Sequence, residues 1–419
     1  MKKIVFLSFL LLSGVVAFSQ NLDNVREALS KNEIAKAKEL IDKFFTNPKN
    51  EDKAEGWYLK GVVYNAVNKN ETLRTSCEDC LKDAFEALVK YQKLDKKNIY
   101  MVVEQNASLF DIYNNYFDLG VAAFNAKDFD KSYYNFKGAL TTQQYLFKKG
   151  LEYNGFKFSE LDTSLVLNIA TSAVLAKKED DAVPYYQMMI DAGLSDEQYI
   201  VAYEFMAEYY KKKGDVPNFY KAIENGKRVY PKDEFWTAIE VELVRESSTK
   251  DEVFAKYDTL FTKNPNDFTI GYNYAVDVYN YIYANDDKNA GKDPKYKAML
   301  KDVLSKTIAL KSNGESNMLM ARFLYNSSFD NSDAAKKIKG TKPADISSRK
   351  ALNDAASADL TSCITYLESA SKYYETLSTL KPLEKSNYRQ SLSMLQEIYE
   401  IKKETAKAAA VGEKMKAIH

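Results

Sequence analysis

Pro231 and Pro265 stand 34 residues apart, and each follows the end of a long segment with helical apolar spacing, Arg228-Val229-Tyr230 and Thr262-Lys263-Asn264. A proline just past a helix end is a stop signal. A stop signal recurring at this interval points to a repeated helix–turn–helix unit, and such a period constrains the fold more than any other feature of the chain. Glycine and proline are otherwise scarce, 15 and 8 of 419 residues, against usual levels of about 7% and 5%. Tight β-turns therefore have little to build on.

Other positions fall into the same register. Tyr116, Leu119, Gly120 and Phe124 form one helix A. Lys127 to Lys131 make the turn, and Ser132, Phe136 and Ala139 the inward stripe of helix B. Trp57, Gly61 and Tyr64 pair with Ala84, Leu88 and Tyr91. Ala170 precedes Ala182, Tyr186 and Met189; Tyr203, Met206, Ala207 and Tyr210 precede Gly214-Asp215, Ile223 and Gly226. Trp236, Val241, Val253, Tyr257 and Leu260 lead to Pro265, and Tyr272, Ala275 and Tyr279 follow. Ala370, Tyr374, Leu377 and Pro382 repeat the helix-B pattern. A small residue on helix A lets helix B approach closely, and an aromatic ring fills the groove beside it. Lys60 at a usual Leu place and Phe219 at a usual small place depart from the pattern.

These positions resemble the tetratricopeptide repeat superfamily across nearly the whole chain. The resemblance implies an all-α solenoid of about eight or nine helix pairs. Leu22–Ser30 with Ile34–Phe45 would be the first, and the helices 388–403 and 404–418 would cap the end. It gives the 31 Tyr and 22 Phe packing positions. Residues 66–79, 284–294 and 330–350 read as loop insertions, 148–163 as an irregular stretch, and 284–294 as a weak division of one domain spanning 20–419.

Lys2 and Lys3, an apolar run from Ile4 to Val16 and Ala17-Phe18-Ser19 before Gln20 have the layout of a secretory signal peptide covering residues 1–19. Bilayer spanning takes about 20 apolar residues, so this run is too short for an anchor and the remainder is expected to carry no transmembrane segment. The style of this leader is similar to that of exported Bacteroidota proteins, which implies the periplasm first and secretion second. Without Lys2 and Lys3, 57 of the 59 basic residues remain against 59 acids. The seven arginines are scattered, and no basic surface for nucleic acid is expected.

The single histidine is His419, which leaves no His-based acid–base, metal or triad chemistry. No phosphate loop, nucleophile elbow or calcium loop is present. No enzyme activity, cofactor or metal is expected. Cys77 and Cys80 form a C-x-x-C with no strand before it, read as a local disulfide or two free thiols; Cys363 is read as a small buried residue.

The resemblance implies a partner protein or peptide segment bound in the groove lined by helices A. The candidate groove residues are Asn65, Phe117, Asn125, Asn168, Glu204, Glu208, Glu242, Tyr272, Asn273, Tyr279 and Asn280. The glutamates do not reproduce the Lys/Asn/Arg clamp for a terminal carboxylate. The chain thus reads as a non-catalytic scaffold of the cell envelope. The alternative is an envelope glycan- or peptide-binding protein, for which only Trp57 and Trp236 offer indole platforms.

Overall fold

The computed structural model describes residues 19–247, 249–284 and 293–418. Residues 1–18 of the expected leader, 285–292 of the expected loop, and His419 lie outside the described residues. Cα packing divides the chain into two compact units, Met1–Lys232 and Asp233–His419, a boundary that does not coincide with the weak division expected near 284–294.

Unit 1 contains α1 (Ser19–Ser30), α2 (Ile34–Phe45), α3 (Ala54–Lys69), α4 (Cys80–Leu94), α5 (Ile99–Val103), α6 (Ala107–Asn125), α7 (Phe129–Lys149), α8 (Thr163–Leu175), α9 (Glu179–Asp191), α10 (Ile200–Lys213) and α11 (Val216–Val229). Unit 2 contains α12 (Phe235–Arg245), α13 (Lys250–Lys263), α14 (Phe268–Tyr283), α15 (Pro294–Leu310), α16 (Gly314–Lys337), α17 (Pro343–Glu375), α18 (Pro382–Ile401) and α19 (Thr405–Lys416). Among the described residues these make nine antiparallel pairs with the short α5 left over. The fold is all-α, and within each unit every pair packs on the next: α2 on α3, α7 on α8 and α9 on α10 in the first, α13 on α14, α15 on α16 and α17 on α18 in the second. No described helix is long and apolar enough to cross a membrane.

The packing logic is visible at the A–B contacts. A Cβ placed on Gly120 would lie 2.6 Å from the Phe136 ring, and one on Gly61 would collide with Leu88. Ser132 Oγ donates to the Gly120 carbonyl at 3.0 Å, so the small residue of helix B also satisfies its own hydroxyl. The off-pattern Lys60 puts its ammonium 5.2–5.6 Å from the ring centres of Phe45, Trp57 and Tyr64, a cation–π position that keeps the charge at the edge of an aromatic cluster. Unit 2 has one continuous core running from Val241 to Ala408.

Helix starts are set by side-chain caps: Asp128 for α7, Asp162 for α8, Asp215 for α11, Asp267 for α14, and a Thr249/Glu252 capping box for α13. One expectation is corrected. Residues 330–350 are not a loop, because α16 continues to Lys337 and α17 begins at Pro343. Polar composition suggested a turn, but Asp, Ala and Lys extend a helix when they sit on its exposed faces, and Pro343 occupies the first helical turn, where its missing N–H costs nothing. The expected insertion at 66–79 also shrinks, since α3 runs on to Lys69.

Candidate functional site

In unit 2 the A helices α12, α14, α16 and α18 lie side by side. The side chains that join them start from Arg245 at the end of α12. Its guanidinium grips Asp277 of α14 with two bonds, 2.7 and 3.1 Å, and donates to Asn273 Oδ1 at 3.0 Å. The Tyr257 hydroxyl, from α13, donates to the same carboxylate at 2.7 Å. One helix on, Asn326 of α16 donates to the Tyr279 hydroxyl at 3.1 Å. Arg322 then reaches Asn387 of α18 at 2.9 Å, and Tyr325 donates to Glu397 at 2.6 Å. Bidentate pairing fixes orientation as well as distance, so this ladder holds four helices in register.

The candidate groove residues distribute unevenly. On α14, Asn273 and Tyr279 are rungs of the ladder, Tyr272 stacks on Phe268 at 5.7 Å, and Asn280 is exposed. Burial, reinforced by the nearby Glu315 charge, pushes the Tyr272 phenol up to about 12. Glu242 is exposed on the neighbouring α12. These five residues are brought together on two adjacent helices. In unit 1 the candidates are spread over four helices. Phe117 is half-buried with its edge against Phe136 at 5.6 Å. Asn125 ends α6 in solvent; Asn168 of α8 and Glu204 of α10 are half-buried, and Glu208 is exposed. Asn65 departs from expectation. It is buried, donating to Asp111 at 2.6 Å and accepting from Asn115 at 2.8 Å, so its amide ties α3 to α6.

Residue spacing passed over Arg245, Asp277, Arg322 and Asn326. A signal was available: arginine is rare here, and two of the seven arginines anchor the ladder.

Cys77 and Cys80 are joined as a disulfide, with Cα atoms 5.5 Å apart. It closes the turn leading into α4, where Asp79 caps the helix through Lys82 N–H at 3.0 Å. Cys363 is buried, and burial together with the Asp359 charge pushes its thiol up to about 12. Among the described residues no group of three or more His, Cys, Asp or Glu is placed to hold a metal ion. Trp236 is fully buried, and the Trp57 indole donates to the Glu51 carbonyl at 2.8 Å while its ring packs on Phe45.

Together the helix pairs and their stacking define a tetratricopeptide-like helical-repeat protein. Comparison with protein-family models finds no match, and comparison with curated proteins finds none. Among solved structures, the chain is similar to the P58(IPK) TPR domain, at 11% identity over 91% of this chain and 99% of that one, TM-score 0.29. It is also similar to the human IFIT1 dimer with m7Gppp-AAAA (12% identity, 95% and 89% covered, TM-score 0.20). A third is a circular tandem repeat protein (10% identity, 96% and 94% covered, TM-score 0.19). All three scores are below 0.5, and the description of the fold rests on the helix pairs themselves.

Proposed function

We propose that the chain is an exported, non-catalytic scaffold of the cell envelope, periplasmic rather than secreted, of the Bacteroidota type its leader resembles. It holds a partner protein or peptide segment on the face shared by α12, α14, α16 and α18. The observation that carries the reading is the ladder from Arg245 to Glu397. It uses side-chain bonds to keep four helices in fixed register while leaving Asn280 of α14 exposed. A face fixed before binding loses less conformational entropy when a partner arrives. The leader and the Cys77–Cys80 disulfide support export, since disulfides persist in oxidising compartments.

Affinity capture from envelope fractions tests the reading. The parent chain should recover a stoichiometric protein. Asn280→Ala should lose it while melting at the same temperature. Recovery of the chain alone, or of the same partner by the variant, rejects the proposal. N-terminal sequencing of the exported product should begin at Gln20.

A further inference from the structure

We infer that unit 1 carries a binding site for an uncharged sugar, in the cavity between α6 and the stretch that joins α7 to α8. A tight turn orders that stretch. Asn154 and Gly155 both take positive φ, +49° and +79°. Tyr153 and Phe156 exchange two backbone bonds across them, 3.1 and 2.9 Å. This is the primed hairpin turn that an Asn-Gly pair favours. Side chains of residues paired across a hairpin share a face, and the residue two positions on shares it too. Tyr153, Phe156 and Phe158 accordingly all reach the Phe110 ring of α6, with ring centres 5.7, 6.3 and 5.5 Å away.

The cavity that these rings line together with Tyr113 measures about 670 Å³, and ligand sites run roughly from 300 to 1,000 Å³. Phe158 is committed to packing, stacked on Phe110 and set edge-on to Tyr113 at 4.5 Å. Tyr153 and Phe156 keep surface for a ligand, being 37% and 56% exposed. Asn114 and Asn154 line the same cavity and are exposed, each amide offering donors and an acceptor.

The charges narrow the class of ligand. The charged side chains of the wall are Lys157 and Asp162, one of each sign. Lys157 pairs with Glu152 at 3.0 Å. Asp162 accepts from the Tyr113 hydroxyl at 3.2 Å and from the Leu165 amide at 3.0 Å. Glu152 and Glu160 are exposed on the same stretch, so an anion meets repulsion, while a cation meets the Lys157 ammonium. An acyl chain would cover the two amides and leave them without partners, which is costly. A sugar ring matches both parts of the wall. Its C–H face is drawn to the electron-rich face of an aromatic ring, and its hydroxyls exchange bonds with amides that both donate and accept. The stacking platforms are thus Tyr153 and Phe156, and not the two indoles. These residues are apart from the unit 2 face assigned to a partner protein, so the two readings can fail separately.

Calorimetric titration of the purified full chain with neutral hexasaccharides of glucose, xylose, mannose and N-acetylglucosamine tests the site. At least one should bind saturably, with an affinity that added salt leaves unchanged. Tyr153→Leu with Phe156→Leu keeps apolar bulk and removes the ring faces. This pair should weaken binding about tenfold or more, with an unchanged circular dichroism spectrum and melting temperature. Asn114→Ala should weaken it by a smaller factor, and Trp57→Phe should bind like the parent. Four outcomes overturn the inference: no binding of any of the four sugars, equal affinity of the double variant and the parent, an affinity that falls with salt, or capture of a proline-rich peptide or an acyl chain by this cavity in place of a sugar.

Discussion

The two units close their helix pairs differently. In unit 1, α1/α2, α6/α7, α8/α9 and α10/α11 share one turn. A single residue adopts the left-handed conformation, Asn32, Lys127, Lys177 or Gly214 at φ +58° to +69°. The next amide then returns to a carbonyl five residues back, as in Asp128 N–H to Ala123 at 2.9 Å and Lys178 N–H to Ala173 at 2.8 Å. This is the Schellman arrangement, in which the turn itself caps the helix it ends. Among the described residues of unit 2, α18/α19 alone uses it, with Lys403 left-handed and Glu404 N–H on the Tyr399 carbonyl. The pairs α12/α13, α14/α15 and α16/α17 are joined by the longer segments 246–249, 284–293 and 338–342. A turn of two or three residues closed by one left-handed residue fixes the approach of its helices locally. A longer connector leaves register to tertiary contacts, and unit 2 supplies them through the Arg245–Asp277 and Arg322–Asn387 rungs.

The largest test of this contrast is steric. Gly120→Leu drives a side chain into the space of Phe136 across a contact that its short turn cannot relax. It should cost about 3 kcal/mol or more in urea unfolding. Gly314 is equally crowded by Tyr374 but opens α16, where the first turn can shift, so Gly314→Leu should cost less, about 1–2 kcal/mol. Equal losses would remove the role given to the turn.

Much of this was legible in the sequence, for a physical reason. The A–B contact is local, so Gly61, Gly120, Phe136 and Leu88 carry its signature within one repeat. The spacing places the first pair at Leu22–Ser30 and Ile34–Phe45, and the structure has Ser19–Ser30 and Ile34–Phe45. Side-chain bonds between repeats have no fixed spacing. Arg322 and Asn387 are 65 residues apart, and no periodicity announces them. Asn65 departs from its expected place for the same reason: its helical position suits a groove, but its partners Asp111 and Asn115 lie three helices further on, in α6.

A second test falls on the ladder. Asp277→Ala leaves the Tyr257 hydroxyl, otherwise buried with its residue, without its acceptor and frees Arg245. The expected loss is about 2 kcal/mol, read by denaturant titration. Part of it should disappear in high salt, because Arg245 is exposed enough to be screened. A loss no greater than that of an ordinary surface substitution would mean that the rungs decorate a register set elsewhere.

The smallest effect probes the shared turn directly. A left-handed backbone costs a side-chain-bearing residue about 1 kcal/mol relative to glycine. Lys177, at φ +61°, bears that cost in the turn where Gly214, at φ +69°, does not. Lys177→Gly should therefore stabilise unit 1 by somewhat less than about 1 kcal/mol, offset in part by the greater entropy of the unfolded glycine. Gly214→Ala should destabilise it by about 1 kcal/mol, although nothing lies within 4 Å of the added Cβ, so the cost is conformational alone. The two changes act on equivalent positions of consecutive pairs, and their shifts in unfolding midpoint must be opposite in sign. Shifts of the same sign would show that the turns are alike only in outline, and that each pair is held by its own contacts and not by a common closure.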